Sequence, residues 1–415
     1  MKNVSRIVDG KRKIIKKPEL LAPAGNLEKL KTAIMYGADA VFVGGKEFSL
    51  RSQASNFSLE DIQEGVEFAK KYGAHIHVTC NIILHQDNLE GIKEYLKKLD
   101  NIGVSAIIVA DPYIMSIANE LDLNLEVHVS TQLSTLNLKA IQFYADMGVN
   151  RVVLGREVTY DDLKLIMDKT PVDIEYFIHG AMCIHYSGRC MLSNYLSRRD
   201  ANRGGCSQSC RWYYDLYENG NLVNQEEDIP LSMSSKDMSL VSHIGELIEL
   251  GVDSFKIEGR MKSIHYIATV VSTYRKLIDA YCEDPDSFKQ DDSYLKELEK
   301  AANRALCHGF FYENPTMNEQ LFNLRDEHPT QEFVLRVLEY DKDNRMAKIE
   351  QRNHFKVGET IEIFSPYHDN YIVKVTALYN EDKESVEVAN HPMEILYMPI
   401  DEDIEVNDMG RKVTQ

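Results

Sequence analysis

Four times along the chain a run of helical periodicity ends at a glycine, one or two polar positions follow, and a short apolar run begins. The segments read GADAVFVGG from Gly37, GVSAIIVAD from Gly103, GVNRVVLGRE from Gly148 and GVDSFKIEGR from Gly251. Each is the pattern of a helix C-cap turning into a strand buried on both faces, the αβ junction of a parallel sheet. Filling the intervals predicts strands at about 18–23, 39–43, 75–81, 106–110, 125–130, 151–155, 174–179 and 254–258. Helical patterns fall at about 26–36, 59–72, 87–99, 112–120, 137–147, 159–168, 240–249 and 261–281. Eight strands alternating with eight helices predict an α/β fold of the (β/α)8, TIM-like barrel type, and no GxGxxG follows the first strand to favour an open dinucleotide-binding sheet. Asp111-Pro112 has the form of a capping residue followed by a first-turn proline.

After about residue 282 the pattern changes to an acidic loop and an amphipathic helix, and from Phe333 it alternates in steps of two (FVLRVLEYD, MAKIEQR, ETIEIFSP, YIVKVTALYN). This predicts a small C-terminal antiparallel β-barrel or sandwich. The expected division is 1–325 for the barrel and 326–415 for the β domain, with an insertion at about 183–238 between the seventh strand and its helix. That connection is far longer than a βα loop needs, and it leaves the rim where barrel enzymes place their chemistry.

The chain has 415 residues, 44% of them hydrophobic and 27% charged, and no stretch of 18 apolar residues. Its N-terminus lacks the apolar run of a signal peptide, so the expected compartment is the cytoplasm and no membrane association is expected. In a reducing compartment clustered thiols point to metal binding or catalysis rather than disulfides. The insertion holds four of the seven cysteines, CIHYSGRCMLSNYLSRRDANRGGCSQSC, spaced C-x6-C-x15-C-x3-C at Cys183, Cys190, Cys206 and Cys210. Four thiolates suit a zinc ion or an iron–sulfur cluster; the wide gaps favour a 4Fe–4S cluster, with structural zinc and plain thiols as the alternatives. Cys80, Cys282 and Cys307 are scattered and read as small buried hydrophobes.

The net charge of −18 argues against a nonspecific nucleic-acid binder. Positive charge is nevertheless concentrated at residues 1–17 and across the cysteine segment, where Arg189, Arg198, Arg199, Arg203 and Arg211 face only Asp200. Tyr186, Tyr195, Trp212, Tyr213 and Tyr214 are interleaved with these arginines. Each basic run is either a solvated face or a local patch for a selected polyanion.

EYFIHGAMCIHYSGRCMLS, from Glu175 to Ser193, resembles the signature of the U32 peptidase family, and the resemblance extends through LLAPAGNLEKLKTAIMYGADAVFVG, NRGGCSQSCRWYY, SSKDMSL, KIEGRMKS and ANRALCHGFF. It covers roughly 18–312, with the β-rich tail matching less sharply. Within the family the cysteine spacing and the following RWYY are most similar to the branch of tRNA hydroxylation proteins that make 5-hydroxyuridine at the wobble position. The resemblance implies a 4Fe–4S cluster on Cys183, Cys190, Cys206 and Cys210, a barrel scaffold, prephenate as co-substrate and tRNA as substrate. An anticodon loop offers unpaired bases for stacking on aromatic and guanidinium planes, which makes Arg189, Arg198, Arg199, Arg203, Arg211 and Trp212 RNA-binding candidates. Two alternatives stay open: a U32-type, collagenase-like peptidase, although neither HExxH nor GxSxG occurs, and a cluster-bearing RNA-binding protein that works with a paralogous U32 partner.

Strand-end positions of the expected rim are Asn81, Asp111, Ser130, Gln132, Arg156, Glu157, His179, Glu258 and Arg260. Arginine grips carboxylates bidentately, so Arg156 and Arg260, with Lys236 near, are candidates for holding the two carboxylates of prephenate; the alternative is that each pairs with its sequence neighbour, Arg156 with Glu157 and Arg260 with Glu258. The catalytic candidates are therefore His179, Arg156, Glu258 and Arg260, His179 as a proton shuttle or a cluster hydrogen-bond donor, or else a buried structural histidine. His77 and His128 lie mid-strand and read as structural.

Overall fold

The computed structural model describes residues 4–8, 11–49, 56–223, 231–321 and 331–413. Eight strands, β1 (Glu19–Pro23), β2 (Ala40–Gly44), β3 (His75–Cys80), β4 (Ala106–Val109), β5 (Glu126–Val129), β6 (Arg151–Val153), β7 (Asp173–Ala181) and β8 (Ser254–Ile257), pair in parallel, each with the next. The ring closes because β8 pairs in parallel with β1, Ser254 opposite Glu19. The continuous apolar runs are buried on both faces, as β2 and β4 show along their whole length.

Helices α1 (Leu27–Met35), α2 (Leu59–Tyr72), α3 (Ile92–Ile102), α4 (Pro112–Glu120), α5 (Leu138–Asp146), α6 (Tyr160–Lys169), α7 (Ile244–Leu250) and α8 (Ile264–Glu283) fill the outer layer. The side chain of Asp111 accepts from the Tyr113 backbone N–H, the cap expected there. Gly103 and Gly251 close α3 and α7 at φ 88° and 78°, a conformation that costs other residues a Cβ clash. No helix among the described residues is long and apolar enough to cross a membrane.

Two features go beyond the expected barrel. A hairpin, Ser5–Val8 with Lys11–Ile14, precedes β1. The N-terminal basic run is not a free positive face: Arg12 pairs with Glu249 and Asp286, Lys13 with Glu283, Lys16 with Asp253 and Lys17 with Asp279. Second, the insertion returns as a short strand, Asp237–Ser239, antiparallel to the end of β7. This locks the long β7 and fixes where the cysteine segment leaves the barrel.

Phe333–Lys412 forms an eight-stranded antiparallel sheet around its own apolar core, including Val334, Val337, Ile349, Ile361 and Leu396. It is tied to the barrel by Arg411, fully buried, which donates to Glu362 at 2.8 Å and to Glu297, while Lys300 donates to Glu362 at 2.9 Å. The boundary expected at 325/326 lies outside the described residues.

Buried histidines make this fold acid-sensitive. Burial pushes His179 down to about 4 and, with Arg411 adding to it, His265 down to about 3. Both are neutral when folded but protonate near 6.5 when unfolded, so the unfolded chain binds more protons below that pH and stability falls. Going from pH 7.5 to 5.5 should cost about 1 kcal/mol per histidine, read from urea unfolding. The variant His265→Gln should lose about that much less over the same interval.

Candidate cysteine site at the barrel mouth

The first cysteine follows directly on β7, and the loop from Cys183 to Cys190 is clamped to the neighbouring rim. Glu157 accepts from the Ser187 N–H at 2.7 Å, and the Ser134 hydroxyl donates to the Ser187 carbonyl. Gly188, at φ 72°, lies so close to the Gln132 backbone that a Cβ would collide with it. The second pair is held by serines: the Ser207 N–H and hydroxyl both reach Ser193 Oγ, at 3.1 Å each, on the short helix Leu192–Ser197 that follows Cys190. Asn202 donates to the Cys190 carbonyl at 3.0 Å, and Arg211 donates to the Met182 carbonyl at 3.0 Å, drawing Cys210 towards Cys183.

As a result all four cysteines line one cavity of about 250 Å³ at the C-terminal mouth of the barrel. None is in a disulfide. Cys183 opens onto the cavity yet lies deep among surrounding atoms, and burial raises its thiol above the usual range, as it does for Cys210. Among the described residues, three or more His, Cys, Asp or Glu donor atoms lie within 4.8 Å of one another only at His77, His128 and Glu175, so no three of the sulfurs are that close. Zinc bound at 2.3 Å would need its sulfurs about 3.8 Å apart, closer than any three of these are placed. An iron–sulfur cluster held by four cysteines fits this donor set.

The rim candidates divide. Arg156 and Glu258 line the cavity and pair with each other at 3.1 Å, a cross pair rather than the neighbour pairs considered from sequence, with the Arg156 guanidinium 3.8 Å from the centre of the Phe177 ring. Arg260 is buried and reaches across the mouth to the Gly44 carbonyl, at 3.3 Å, and to Asn56. His179 does not line the cavity: it is 2% exposed, with Nδ1 3.3 Å from the Tyr274 hydroxyl, the placement of the buried histidine among the three expectations. Lys236 is also placed away from it, because its backbone N–H bonds to the Glu319 carbonyl beside the strand pair Ser234–Ser235 and Gln320–Leu321.

The arginines divide as well. Arg203 turns inward onto His85 Nδ1, at 2.9 Å, and Asn88, and Arg211 is the internal tether. Arg189, Arg198 and Arg199 face outward, as do Trp212, 41% exposed, and Tyr195, 82% exposed.

Sequence reasoning missed two groups. Beneath the cavity, Lys256 forms part of its floor and donates to buried Glu175 at 2.6 Å, while Arg151 donates to Glu175 at 3.3 Å and to Glu19 at 2.6 Å. His77 and His128 complete this cluster, where Lys256 and Arg151 already supply the positive charge a metal would bring. Beside the cysteines is a second cavity of about 630 Å³, sharing Cys206, Arg211, Glu258 and Arg260 as walls and adding Arg199, Trp212, Lys262 and Arg304. Burial and the nearby Arg304 cation lower the affinity of Arg211 for its proton.

Comparison with known proteins places this architecture. Residues 25–321 match peptidase family U32 and residues 329–411 match the peptidase family U32 C-terminal domain. The chain is 52% identical over 413 residues to tRNA hydroxylation protein P1 of Bacillus subtilis, covering 99% of this chain and 98% of that one. It is 43% identical over 268 residues to the 23S rRNA 5-hydroxycytidine C2501 synthase of Escherichia coli, covering 64% of this chain and 40% of that one. It is 32% identical over 305 residues to a collagenase of Porphyromonas gingivalis, covering 71% and 73%. Matched along both its barrel and its β domain, the chain belongs to peptidase family U32.

Proposed function

We propose that this chain is a cytoplasmic tRNA-modifying enzyme that hydroxylates the wobble uridine to 5-hydroxyuridine, with a 4Fe–4S cluster on Cys183, Cys190, Cys206 and Cys210 and prephenate as co-substrate. The observation that carries it is the convergence of four unpaired thiols on one cavity at the barrel mouth, beside outward-facing arginines and aromatics. Near-full-length identity to a protein named for tRNA hydroxylation supports the substrate class. When bound, the cluster supplies one-electron or Lewis-acid chemistry next to the base.

The protein's own residues do the positioning. Phe42, Ile108 and Phe177 give the cavity apolar surface for a flat ring, and the Arg156–Glu258 pair sets polar groups at its edge. Trp212 and Tyr195, with Arg198 and Arg199, present the stacking and cationic surface that an unpaired loop requires. Peptide hydrolysis is less well supported, because among the described residues no histidine lines the cavity to serve as base for a cysteine nucleophile.

The test is nucleoside mass spectrometry of tRNA from cells lacking this chain and any paralogue, with and without the wild-type protein restored. The expected result is 5-hydroxyuridine only in the restored cells; identical nucleoside profiles in both would reject the reading.

A further inference from the structure

The cleft at the barrel mouth has two chambers that share Arg211, Glu258 and Arg260, and only the cysteine-lined one carries a cluster of apolar side chains. The cysteine-lined chamber has Phe42, Ile108, Phe177 and Met182 among its walls. The larger one is lined by Arg199, Arg211, Arg260, Lys262 and Arg304 against the single carboxylate of Glu258. Asp237, buried behind this wall, accepts from Arg304 at 2.8 Å and lies 3.9 Å from Lys262, and Arg156 takes Glu258 at 3.1 Å. With both acids and Arg156 counted, six cations stand against two carboxylates, in a chain whose net charge is −18. Low-dielectric walls focus such a field on whatever enters.

A nucleotide has the matching shape: a flat uncharged ring and a phosphate, one ribose apart. The chambers share the Cys206–Arg211 edge, so a base in one leaves its phosphodiester beside the other. The cationic chamber is the larger of the two, and Arg199 and Trp212 in its wall are exposed, as a chamber traversed by a continuing strand requires.

We propose that this second chamber seats the phosphodiester joined to the nucleotide whose base enters the cysteine chamber, with Arg199, Lys262 and Arg304 as its cations and Trp212 as the stacking face for the adjoining base. The proposal rests on the reading that the substrate is RNA. It assigns a role to Lys262 and Arg304, which lie outside the cysteine insertion.

The experiment measures binding of an anticodon stem-loop oligonucleotide by fluorescence anisotropy across a salt series, for the full-length wild type and for Arg199→Gln/Lys262→Gln. Loss of one single-strand phosphate contact should flatten the slope of log K against log salt by about 0.7. Phosphate contacts carry no base information, so loops with uridine or cytidine at the wobble position should weaken equally. Arg199→Gln alone, at an exposed position, should weaken binding in the same direction. An unchanged slope in the double variant overturns the proposal. So does unchanged RNA binding combined with a raised prephenate requirement, which would make the chamber a site for the small diacid. A wild-type protein with no affinity for the oligonucleotide removes the RNA reading itself, an outcome distinct from either.

Discussion

If the proposed function holds, Cys206→Ser is expected to lower the iron and labile sulfide recovered from anaerobically purified protein at least about tenfold and to abolish the proposed uridine hydroxylation, because even residues that only support metal ligands carry effects of that size. Its stability in urea should move by less than about 1 kcal/mol, since Cys206 is exposed and outside the apolar cores. This combination separates a ligand from a packing residue. Cys80 supplies the contrast: it is fully buried in β3, and burial pushes its thiol up to about 12, the mark of an inert core cysteine. Cys80→Ala should therefore keep its iron and lose stability. Iron retained in Cys206→Ser, or one zinc per chain in an active wild-type protein, would refute the assignment of the four cysteines.

The barrel was legible because its signal is local and repeated: a glycine that only a left-handed cap needs, then a strand apolar on both faces. The seventh strand can be counted, so the sequence itself puts the cysteine segment at the mouth. Boundaries were less visible where one residue overrides periodicity. The third helix was expected from 87, but Gly91, at φ 85°, caps it and starts it at Ile92, with a separate turn at Gln86–Asn88 before it. The N-terminal hairpin was missed because the charges of KRKIIKK hide a strand whose basic side chains pair with acids over 200 residues away.

The site was legible only as far as one segment carries it. Arg203 and Arg211 look identical to Arg198 and Arg199 in sequence, yet the first pair is spent on internal hydrogen bonds. Lys262 and Arg304 join the cleft from the loop after β8 and from the end of the barrel region, a convergence that only topology creates. His179 had the right strand position but the wrong direction: β7 continues to Ala181 and turns that ring towards α8.

Glu175→Gln should destabilise the barrel by about 3–5 kcal/mol, the largest single effect expected outside the apolar core. Glu175 is fully buried and takes Lys256 at 2.6 Å and Arg151 at 3.3 Å, while Arg151 also takes Glu19. Burial alone would raise both carboxylates, but Lys256 and Arg151 hold Glu175 low, and His77 and Arg151 hold Glu19 at about 2. Both are thus ionised at any working pH. Their contribution is full above the ordinary carboxylate range and is lost as pH falls towards 2. Neutralising Glu175 leaves two buried cations facing the one carboxylate of Glu19, and the cost is that of the unpaired charge, not of one hydrogen bond. Removing the partner too should restore part of the loss: Glu175→Gln/Lys256→Met should be more stable than the sum of the single variants implies, measured by urea unfolding at pH 7.5. Since Lys256 also floors the cysteine cavity, the single variant should impair hydroxylation beyond its stability cost. Additive single and double variants would mean that the pair is solvated, and the cavity floor would then lie open to water.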